Sequence, residues 1–392
     1  MAGWVARNPV LHRIVWPPDA PRVSLVGGAV RDAILGVRHG PDLDLVVEGD
    51  ALPLAGRIGQ ALGGRVITHA RFGTARIELA HGQHLDIVSA RRESYRHPGA
   101  LPDVTPGSLA DDLARRDFTV NAMAFVLHGA GEGGLVDPHD GRTDLGAGRI
   151  RALRGGAFAE DPSRVVRAVR YAARLGFRLE VGTEAEARIS AAAATLDRSR
   201  VAEEATRLLG EDACAVALGM GEALGLGWPD PDPARADRLG ALDAALRRPA
   251  APPVGVWALR LGIGVTEDAV RDAAVPGWAR AVAREVRSGL DLSAGLRDVG
   301  TPSRIDATLG ALPAATQVGA LVGGADVVER WWDEWRDLTP AVTGADLVAA
   351  GVRPGPRIGA SLRAVRAAVL DGEVTGQGEQ MALALAEAGR LR

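Results

Sequence analysis

The stretch RVSLVGGAVRDAILGVRHGPDLDLVVE, residues 22–48, decides the fold. Its apolar run at 23–26 predicts a buried strand that ends at Gly27 and Gly28, and a helix follows. A second strand begins with Asp42 and Asp44, whose side chains point the same way, about 7 Å apart. Such a carboxylate pair suits a hard divalent cation, and glycines before a helix suit a phosphate. The stretch therefore predicts chemistry on a nucleoside triphosphate.

Composition narrows the class of protein further. The 392 residues predict two to four domains, and no apolar run approaches the roughly 20 residues of a membrane span. The N-terminus lacks a signal-peptide pattern and Cys214 is the single cysteine, so we expect a cytoplasmic protein without membrane contact. All 46 basic residues are arginine, which excludes P-loop NTPases and Schiff-base enzymes. The net charge of −3 does not indicate a nucleic-acid binder, so local charge patterns matter more.

Further strands are predicted at 65–69, 75–80 and 84–89, after a helix at 51–62. An antiparallel neighbour would bring Asp86 beside Asp42 and Asp44 as a third carboxylate; the alternative is an aspartate that makes a turn at a strand end. Residues 91–106, rich in Arg, Pro and Gly, predict a loop.

Polar residues then interrupt an apolar segment, RRDFTVNAMA, at 115–124. Arg116, Asp117 and Asn121 lie beside an apolar strand, and their ordinary interpretation is a surface ion pair with a capping Asn. The segment LVDPHDGRTDL at 135–145 predicts a tight turn. We interpret its His-Asp pair as structural, because no second His follows at ligand spacing.

Helical patterns dominate from about residue 149. In the segment AEDPSRVVRAVRYAARLGF, residues 159–177, we expect Asp161 as the N-cap and Gly176 as the stop. A basic stripe is formed by Arg164, Arg167, Arg170 and Arg174. Few carboxylates lie nearby in sequence, which favours a polyanion as partner, although such a stripe is usually solvated surface.

Later segments are less informative. Helices are predicted at 183–195, 201–209 and 234–247, and Thr343 is expected to cap a helix at 344–350. The glycine-rich turn at 351–359 suits backbone phosphates or an ordinary helix connection.

Five motifs occur in one order: GGAVRD at 27–32, DLD at 42–44, RRDFTVNAMA at 115–124, LVDPHDGRTDL at 135–145 and EDPSRVVRAVRYAARLGF at 160–177. This combination resembles the class II tRNA nucleotidyltransferase family, which also contains bacterial poly(A) polymerases. The resemblance covers residues 23–177 and, more loosely, 344–374.

The resemblance implies an α+β fold with a polymerase-β-like nucleotidyltransferase head built on a small mixed sheet, followed by all-helical neck, body and tail domains. The implied boundaries are 1–146 for the head, 147–209 for the neck with its base-reading helix, 210–337 for the body and 338–392 for a tRNA-binding tail. It also implies two Mg²⁺ ions held by Asp42 and Asp44, one for the RNA 3′-OH and one for the triphosphate, with release of pyrophosphate.

The resemblance also assigns residues to the nucleotide. Gly27, Gly28 and Arg31 would hold the triphosphate, and Arg116 would add positive charge. Asp117 and Asn121 would lie near the ribose. Asp161 and Arg164 would read the base, and Arg167 and Arg170 would contact phosphates or stack on bases. Asp86 would support catalysis beside the metal ligands. No obligatory protein partner is implied.

Base choice follows from hydrogen-bond chemistry at Asp161 and Arg164, which face the same way at i and i+3 of a helix. A carboxylate accepts from the amino group of cytosine or adenine while a guanidinium donates to a ring acceptor. Guanine and uracil would place a carbonyl oxygen against the carboxylate, so two acceptors would face each other without a hydrogen bond, at a cost of about 1–3 kcal/mol. The pair would therefore select C and A.

The leading hypothesis is addition of C and/or A from CTP and ATP to the 3′ end of tRNA. A partial CC-adding or A-adding enzyme and a poly(A) polymerase are alternatives, because the segment between Asp86 and Asp117 is slightly short and 95–102 resembles members of divided activity. A non-catalytic RNA-binding protein is a hypothesis from another class. A metal-dependent phosphohydrolase is disfavoured because no paired His-Asp pattern follows residue 210.

Overall fold

The computed structural model describes residues 1–37, 39–94, 103–296 and 300–390. It contains two compact units. The first comprises Met1–Thr195 and Glu211–Gly227, and the second comprises Leu196–Gly210 and Trp228–Arg392.

The strands belong to the first unit. Their bounds are β1 Val23–Val26, β2 Asp42–Val47, β3 Arg65–His69, β4 Thr74–Glu78, β5 His84–Ser89, β6 Arg91–Ser94, β7 Asp103–Pro106, β8 Ala124–His128, β9 Leu135–Val136, β10 Arg149–Ile150 and β11 Arg178–Leu179.

The α-helices in both units are α1 Ala2–Arg7, α2 Gly28–Leu35, α3 Ala51–Leu62, α4 Leu109–Ala114, α5 Gly141–Gly146, α6 Ala157–Glu160, α7 Ser163–Leu175, α8 Val181–Ser190, α9 Ser199–Gly210, α10 Cys214–Leu224, α11 Arg235–Leu246, α12 Val256–Gly264, α13 Glu267–Asp272, α14 Gly277–Leu296, α15 Pro302–Gly310, α16 Ala314–Val322, α17 Val327–Arg330, α18 Gly344–Ala349, α19 Pro356–Leu370 and α20 Gln377–Arg390.

A seven-stranded mixed sheet forms the first unit's centre, in the order β3-β4-β5-β2-β1-β8-β9. β1 is buried along its whole length between β2 and β8, as its apolar sequence predicts. β2 alternates exposed aspartates with buried leucines over its first four residues, so the two carboxylates emerge on one face.

The pairing of β5 corrects one expectation. β5 is parallel to β2, not antiparallel, with Asp86 opposite Asp44. The intervening antiparallel strands β3 and β4 allow this, because the chain crosses to the sheet edge and returns in the direction of β2. Asp86 nevertheless lies beside Asp44 on the neighbouring strand, as expected.

The expectation of a loop over 91–106 is wrong at both ends. β6 and β7 pair antiparallel, with Arg91 opposite Pro106. Residues 95–102, in which the family resemblance leads us to expect an influence on nucleotide choice, lie outside the described residues.

The segment that carries α7 is flanked by the parallel two-residue strands β10 and β11, which the sequence did not predict. Between them α7 runs to Gly176, which has a φ of +67° and ends the helix as expected. Val165, Val166 and Val169 are fully buried. One face of α7 therefore belongs to the core.

In the second unit, the chain after residue 228 is helical. Thr343 caps α18 through a capping box with Asp346, which confirms the predicted helix start. A separate small core of Val342, Leu347, Val365 and Ala384 lies among α18, α19 and α20. Among the described helices, none has the length and hydrophobicity needed to cross a bilayer.

Candidate active site

Asp42 and Asp44 are both exposed on β2, two residues apart. Desolvation by the surrounding protein raises the pKa of Asp44, although its side chain remains exposed. The charge of Arg116 opposes this rise, and the carboxylates of Asp86 and Asp42 add to it. Two hard oxygen donors with surplus negative charge fit a divalent cation. Across the described part of the chain, no cluster of three or more His, Cys, Asp or Glu side chains has metal-binding geometry. The pair alone is therefore the candidate ligand set.

Asp86 forms an ion pair with Arg76 on the neighbouring strand. Both of its carboxylate oxygens accept from Arg76, at 2.8 Å each, and this ion pair raises the pKa of Arg76. Arg76 lies opposite Asp86 on β4. The arrangement suits a supporting carboxylate, whose negative charge acts on Asp44 across the parallel strands, better than a direct metal ligand.

Gly27 lies against two of the other expected site residues. Its φ is +71°, and a Cβ there would come within 3.0 Å of Arg116 Nη1 and 3.7 Å of Asp44 Oδ2. Only glycine fits this backbone and this approach without strain. Gly28 begins α2, where a Cβ would meet Arg31 Nη2 at 3.4 Å. The glycines, Arg116 and Asp44 thus share one small region.

Arg116 is held by a residue that the sequence reasoning did not single out. Asp112 is fully buried and accepts from Arg116 Nη2 at 3.0 Å, and it also pairs with Arg115. The i, i+4 spacing of Asp112 and Arg116 is a signal that was present in the sequence.

Arg31 and Asn121 are joined inside the protein. Arg31 is 2% exposed, and it donates to Asn121 Oδ1 at 2.7 Å and to Asp32 Oδ1 at 2.8 Å. Asn121 in turn donates to Asp117 Oδ1 at 3.2 Å. Arg31 is therefore a buried charge that orders its neighbours.

Asp117 is buried, so the surface ion-pair interpretation is wrong for this residue. Burial alone would raise the pKa of Asp117, but the charge of Arg167 and hydrogen bonds from Asn121 and the Phe118 N–H outweigh it and lower the pKa. Asp117 is a buried anion at neutral pH.

Asp161 and Arg164 lie at the start of α7 and are 6% and 7% exposed. Pro162, not Asp161, occupies the N-cap position, but Asp161 makes the capping contact because its Oδ1 accepts from Ser163 N at 3.2 Å and from Ser163 Oγ at 2.6 Å. Arg164 donates to the Ala157 carbonyl at 3.3 Å. The prediction that Asp161 is the N-cap is therefore wrong by one position, although its carboxylate still contacts the first residue of α7.

The basic stripe on α7 has counter-ions, which corrects the sequence interpretation. Arg167 pairs with Asp117 at 2.8 Å and Arg170 with Glu211 at 3.0 Å. Arg174 lies 3.8 Å from both Asp32 and Glu211. The carboxylates come from distant parts of the sequence, so inspection of the stripe's neighbours could not reveal them.

The aromatic ring of Tyr171 gathers three cationic groups. The guanidinium carbons of Arg170, Arg31 and Arg167 lie 4.5, 5.3 and 5.9 Å from its centroid. These cation–π contacts and ion pairs tie α7 to the head residues beside the site.

His39 also escaped the sequence reasoning. Its Nδ1 lies 2.7 Å from Asp32 Oδ2 and its Nε2 lies 2.6 Å from the Asp42 carbonyl oxygen. Asp32 is 1% exposed; burial alone would raise its pKa, but His39 and Arg31 together lower it. His39 thus connects the α2 motif to the first residue of the candidate metal pair.

Comparison with known proteins agrees with this geometry. Residues 23–151 match the poly A polymerase head domain family. The chain is 52% identical over 159 residues to the A-adding tRNA nucleotidyltransferase of Halalkalibacterium halodurans, a match covering 41% of this chain and 37% of that protein. It is 34% identical over 353 residues to the CC-adding tRNA nucleotidyltransferase of Deinococcus radiodurans, covering 88% of this chain and 83% of that protein.

A solved structure extends the likeness to the second unit's residues. The Thermotoga maritima CCA-adding enzyme complexed with tRNA has a TM-score of 0.74 and 25% identity, over 93% of this chain and 91% of that one. Sheet, carboxylate pair and arginine-bearing helix define a nucleotidyltransferase head. The chain belongs to the class II tRNA nucleotidyltransferase and poly(A) polymerase family, and both the resemblance and the fold class predicted from sequence are confirmed.

Proposed function

We propose that the protein is a template-independent RNA nucleotidyltransferase that adds C and/or A to the 3′ end of tRNA from CTP and ATP. The observation that carries this proposal is the approach of Gly27 to both Arg116 and Asp44, because it joins a phosphate cradle to a carboxylate pair. In this family such a site transfers nucleotides to RNA. The relatives from Halalkalibacterium halodurans and Deinococcus radiodurans are named for A addition and CC addition to tRNA, and one solved neighbour is complexed with tRNA.

Asp42 and Asp44 would hold Mg²⁺, two ions by the family resemblance. Bound Mg²⁺ would supply charge stabilisation at the triphosphate and activation of the attacking hydroxyl. The chain itself would contribute the Gly27 and Gly28 backbone to the phosphates and the fixed guanidinium of Arg116 to the developing negative charge. Asp86, occupied by Arg76, would position β5 and add to the negative potential at Asp44.

Base choice would rest on Asp161 and Arg164. Both are nearly buried, so a base that leaves their polar groups unpaired is penalised more than it would be in water. The Ser163 contacts hold the Asp161 carboxylate at one orientation. That orientation supports a fixed acceptor for the amino group of C or A. Asp117 and Asn121 would lie near the ribose.

The alternatives within this chemistry are addition of CC only, of A only, or of a poly(A) tail. Relatives named for A addition and for CC addition both match. We also propose the division into head 1–146, neck 147–209, body 210–337 and tRNA-binding tail 338–392, with action in the cytoplasm where tRNA matures. The small core beneath α18, α19 and α20 supports a separate tail.

One experiment tests the proposal. The protein is incubated with tRNAs that end at the discriminator base, at C or at CC, with labelled CTP or ATP, and product lengths are read on a gel. Full CCA addition extends every substrate; a CC-adding enzyme stops at CC, an A-adding enzyme extends only the CC-ending tRNA, and a poly(A) polymerase makes long tails. Binding of tRNA without any incorporation would instead support the non-catalytic RNA-binding protein.

A further inference from the structure

A cavity of about 830 Å³ opens where β2 begins, next to Asp42. Its lining includes Trp4, Arg7, His39, Pro41, His81 and Arg174. His39 and Pro41 lie within three residues of Asp42, and His39 contacts the Asp42 carbonyl oxygen. The cavity therefore lies beside the start of the strand that carries the candidate metal ligands.

The charge of the cavity suits an anion. Within the part of the chain that the structure describes, its lining contains arginine and histidine side chains but no carboxylate. Arg7 is exposed, and Arg174 keeps 36% of its side chain accessible with its nearest carboxylates 3.8 Å away. Two guanidinium groups at one opening attract phosphate groups.

An aromatic ring accompanies these charges. Trp4, on α1, is partly exposed and meets the His39 ring edge-on, with centroids 6.4 Å apart. Nucleic-acid bases stack on such rings without sequence preference. Trp4 and Arg7 both belong to α1, which precedes the residues 23–151 that match the family head.

His81, in the cavity lining, has an uncommon backbone conformation. His81 has φ +60° and ψ +28°, a left-handed conformation that non-glycine residues rarely adopt. Strain of this kind persists where the surroundings hold it and is concentrated at functional sites. His81 and Trp4 line the same cavity.

We propose that this cavity binds the single-stranded 3′ end of the RNA acceptor, with a base stacked on Trp4 and backbone phosphates at Arg7 and Arg174. A nucleotidyltransferase must place two substrates at its carboxylate pair. None of the described residues assigned to the incoming nucleotide, such as Gly27, Arg116 or Arg164, lines the cavity. The acceptor is therefore its occupant. This inference rests on the proposed function for its substrate but concerns binding alone.

The test uses the full chain and a 5′-fluorescein single-stranded oligoribonucleotide ending in CC, without nucleotide, in an anisotropy titration. Trp4→Ala is expected to raise the Kd by about fivefold or more, because the loss of one stacked base corresponds to that factor. Arg7→Ala is also expected to raise the Kd, because it removes a charge that contacts a backbone phosphate. Matched controls are Trp278→Ala, an exposed tryptophan in the second unit, and Arg13→Ala, an exposed arginine outside the cavity lining. Both controls are expected to stay within twofold.

Trp4→Phe separates stacking from packing. It keeps an aromatic face, so its Kd is expected near that of the wild type; an equal loss with Phe and Ala, or no RNA binding by the wild type, would overturn the inference. In steady state, Trp4→Ala is expected to raise the KM for RNA and leave the KM for CTP and ATP unchanged. The reverse pattern would assign the cavity to the incoming nucleotide and also overturn it.

The two proposals fail in different ways. Wild-type protein that binds the oligoribonucleotide through Trp4 but incorporates no nucleotide contradicts the proposed function and leaves this inference intact. Wild-type protein that extends tRNA while Trp4→Ala and Arg7→Ala bind and extend RNA normally contradicts only this inference.

Discussion

The ion pair between Arg167 and Asp117 offers a direct test of the interpretation that the α7 stripe is anchored in the protein. Arg167 Nη2 lies 2.8 Å from Asp117 Oδ2. The cycle uses Asp117→Asn, which keeps an oxygen to accept from the Phe118 N–H, Arg167→Met, which keeps the apolar stem, and the double variant. The coupling energy of such a cycle cancels the desolvation cost of each residue separately.

The expected coupling can be worked from the geometry. Charge centres about 4 Å apart interact by about 4 kcal/mol at an effective dielectric constant near 20. Asp117 is 8% exposed, but the Arg167 side chain is 33% exposed, so solvent screening lowers this figure. We expect a coupling of about 1–2 kcal/mol, larger than that of an exposed pair.

Hydrogen exchange of the peptide covering 163–175 is the assay, because it reports the opening of α7 locally. Each single variant is expected to speed exchange, by about fivefold to thirtyfold for the stated energy. The double variant should add little to either single variant. Additive effects, with a coupling below about 0.3 kcal/mol, would refute the claim that α7 is anchored by this pair.

The pH dependence has a defined sign. The pKa of Asp117 is lowered on folding, so its contribution to stability is present above the ordinary value of 3.8 and is lost as the pH falls through the folded pKa. The coupling should therefore be the same at pH 7 and pH 5. A coupling that is already halved at pH 5 would contradict the assigned direction.

Three further predictions concern the site. Asp42→Ala should lower nucleotide addition by about 10²-fold or more while tRNA binding changes little; retained incorporation would overturn the metal assignment. Arg164→Ala should reduce discrimination against GTP and UTP by about fivefold to 150-fold, measured as ratios of kcat/KM, and an unchanged ratio would remove its base-reading role. Gly27→Ala should raise the KM for nucleotide through strain of about 1–3 kcal/mol and displacement of Arg116, whereas Gly28→Ala, in a helix with a roomier 3.4 Å contact, should do less.

Local features of the head could be predicted because they depend on neighbours in sequence. The apolar run of β1, the glycine pair before α2 and the alternation of Asp42 and Asp44 in β2 specify strand, turn and exposed carboxylates without distant contacts. The helix start after Thr343 was predictable for the same reason, since a capping box spans four residues, and the structure shows the same motif before α4, where Ser108 is the N-cap.

Contacts between residues that are far apart in the sequence could not be predicted. The parallel pairing of β5, the Arg76 partner of Asp86 and the counter-ions of α7 each join residues far apart in sequence. The sequence pattern shows the charge of a side chain and the face of the helix or strand on which it lies, but not which group lies opposite it. Asp117 is the clearest example, because a residue interpreted as surface is a buried anion.

The sequence by itself determined the family, the carboxylate pair and the identity of the nucleotide-site candidates, because motif chemistry and strand periodicity are local properties. Tertiary structure alone decided which of those groups remain open to substrate. Folding committed Asp86 to Arg76 and Arg31 to Asp32 and Asn121, and it placed Trp4 beside His39 at the start of β2. The physical reason is the same in each case: the fold decides whether a charged or aromatic group is paired inside the protein or remains open to a ligand.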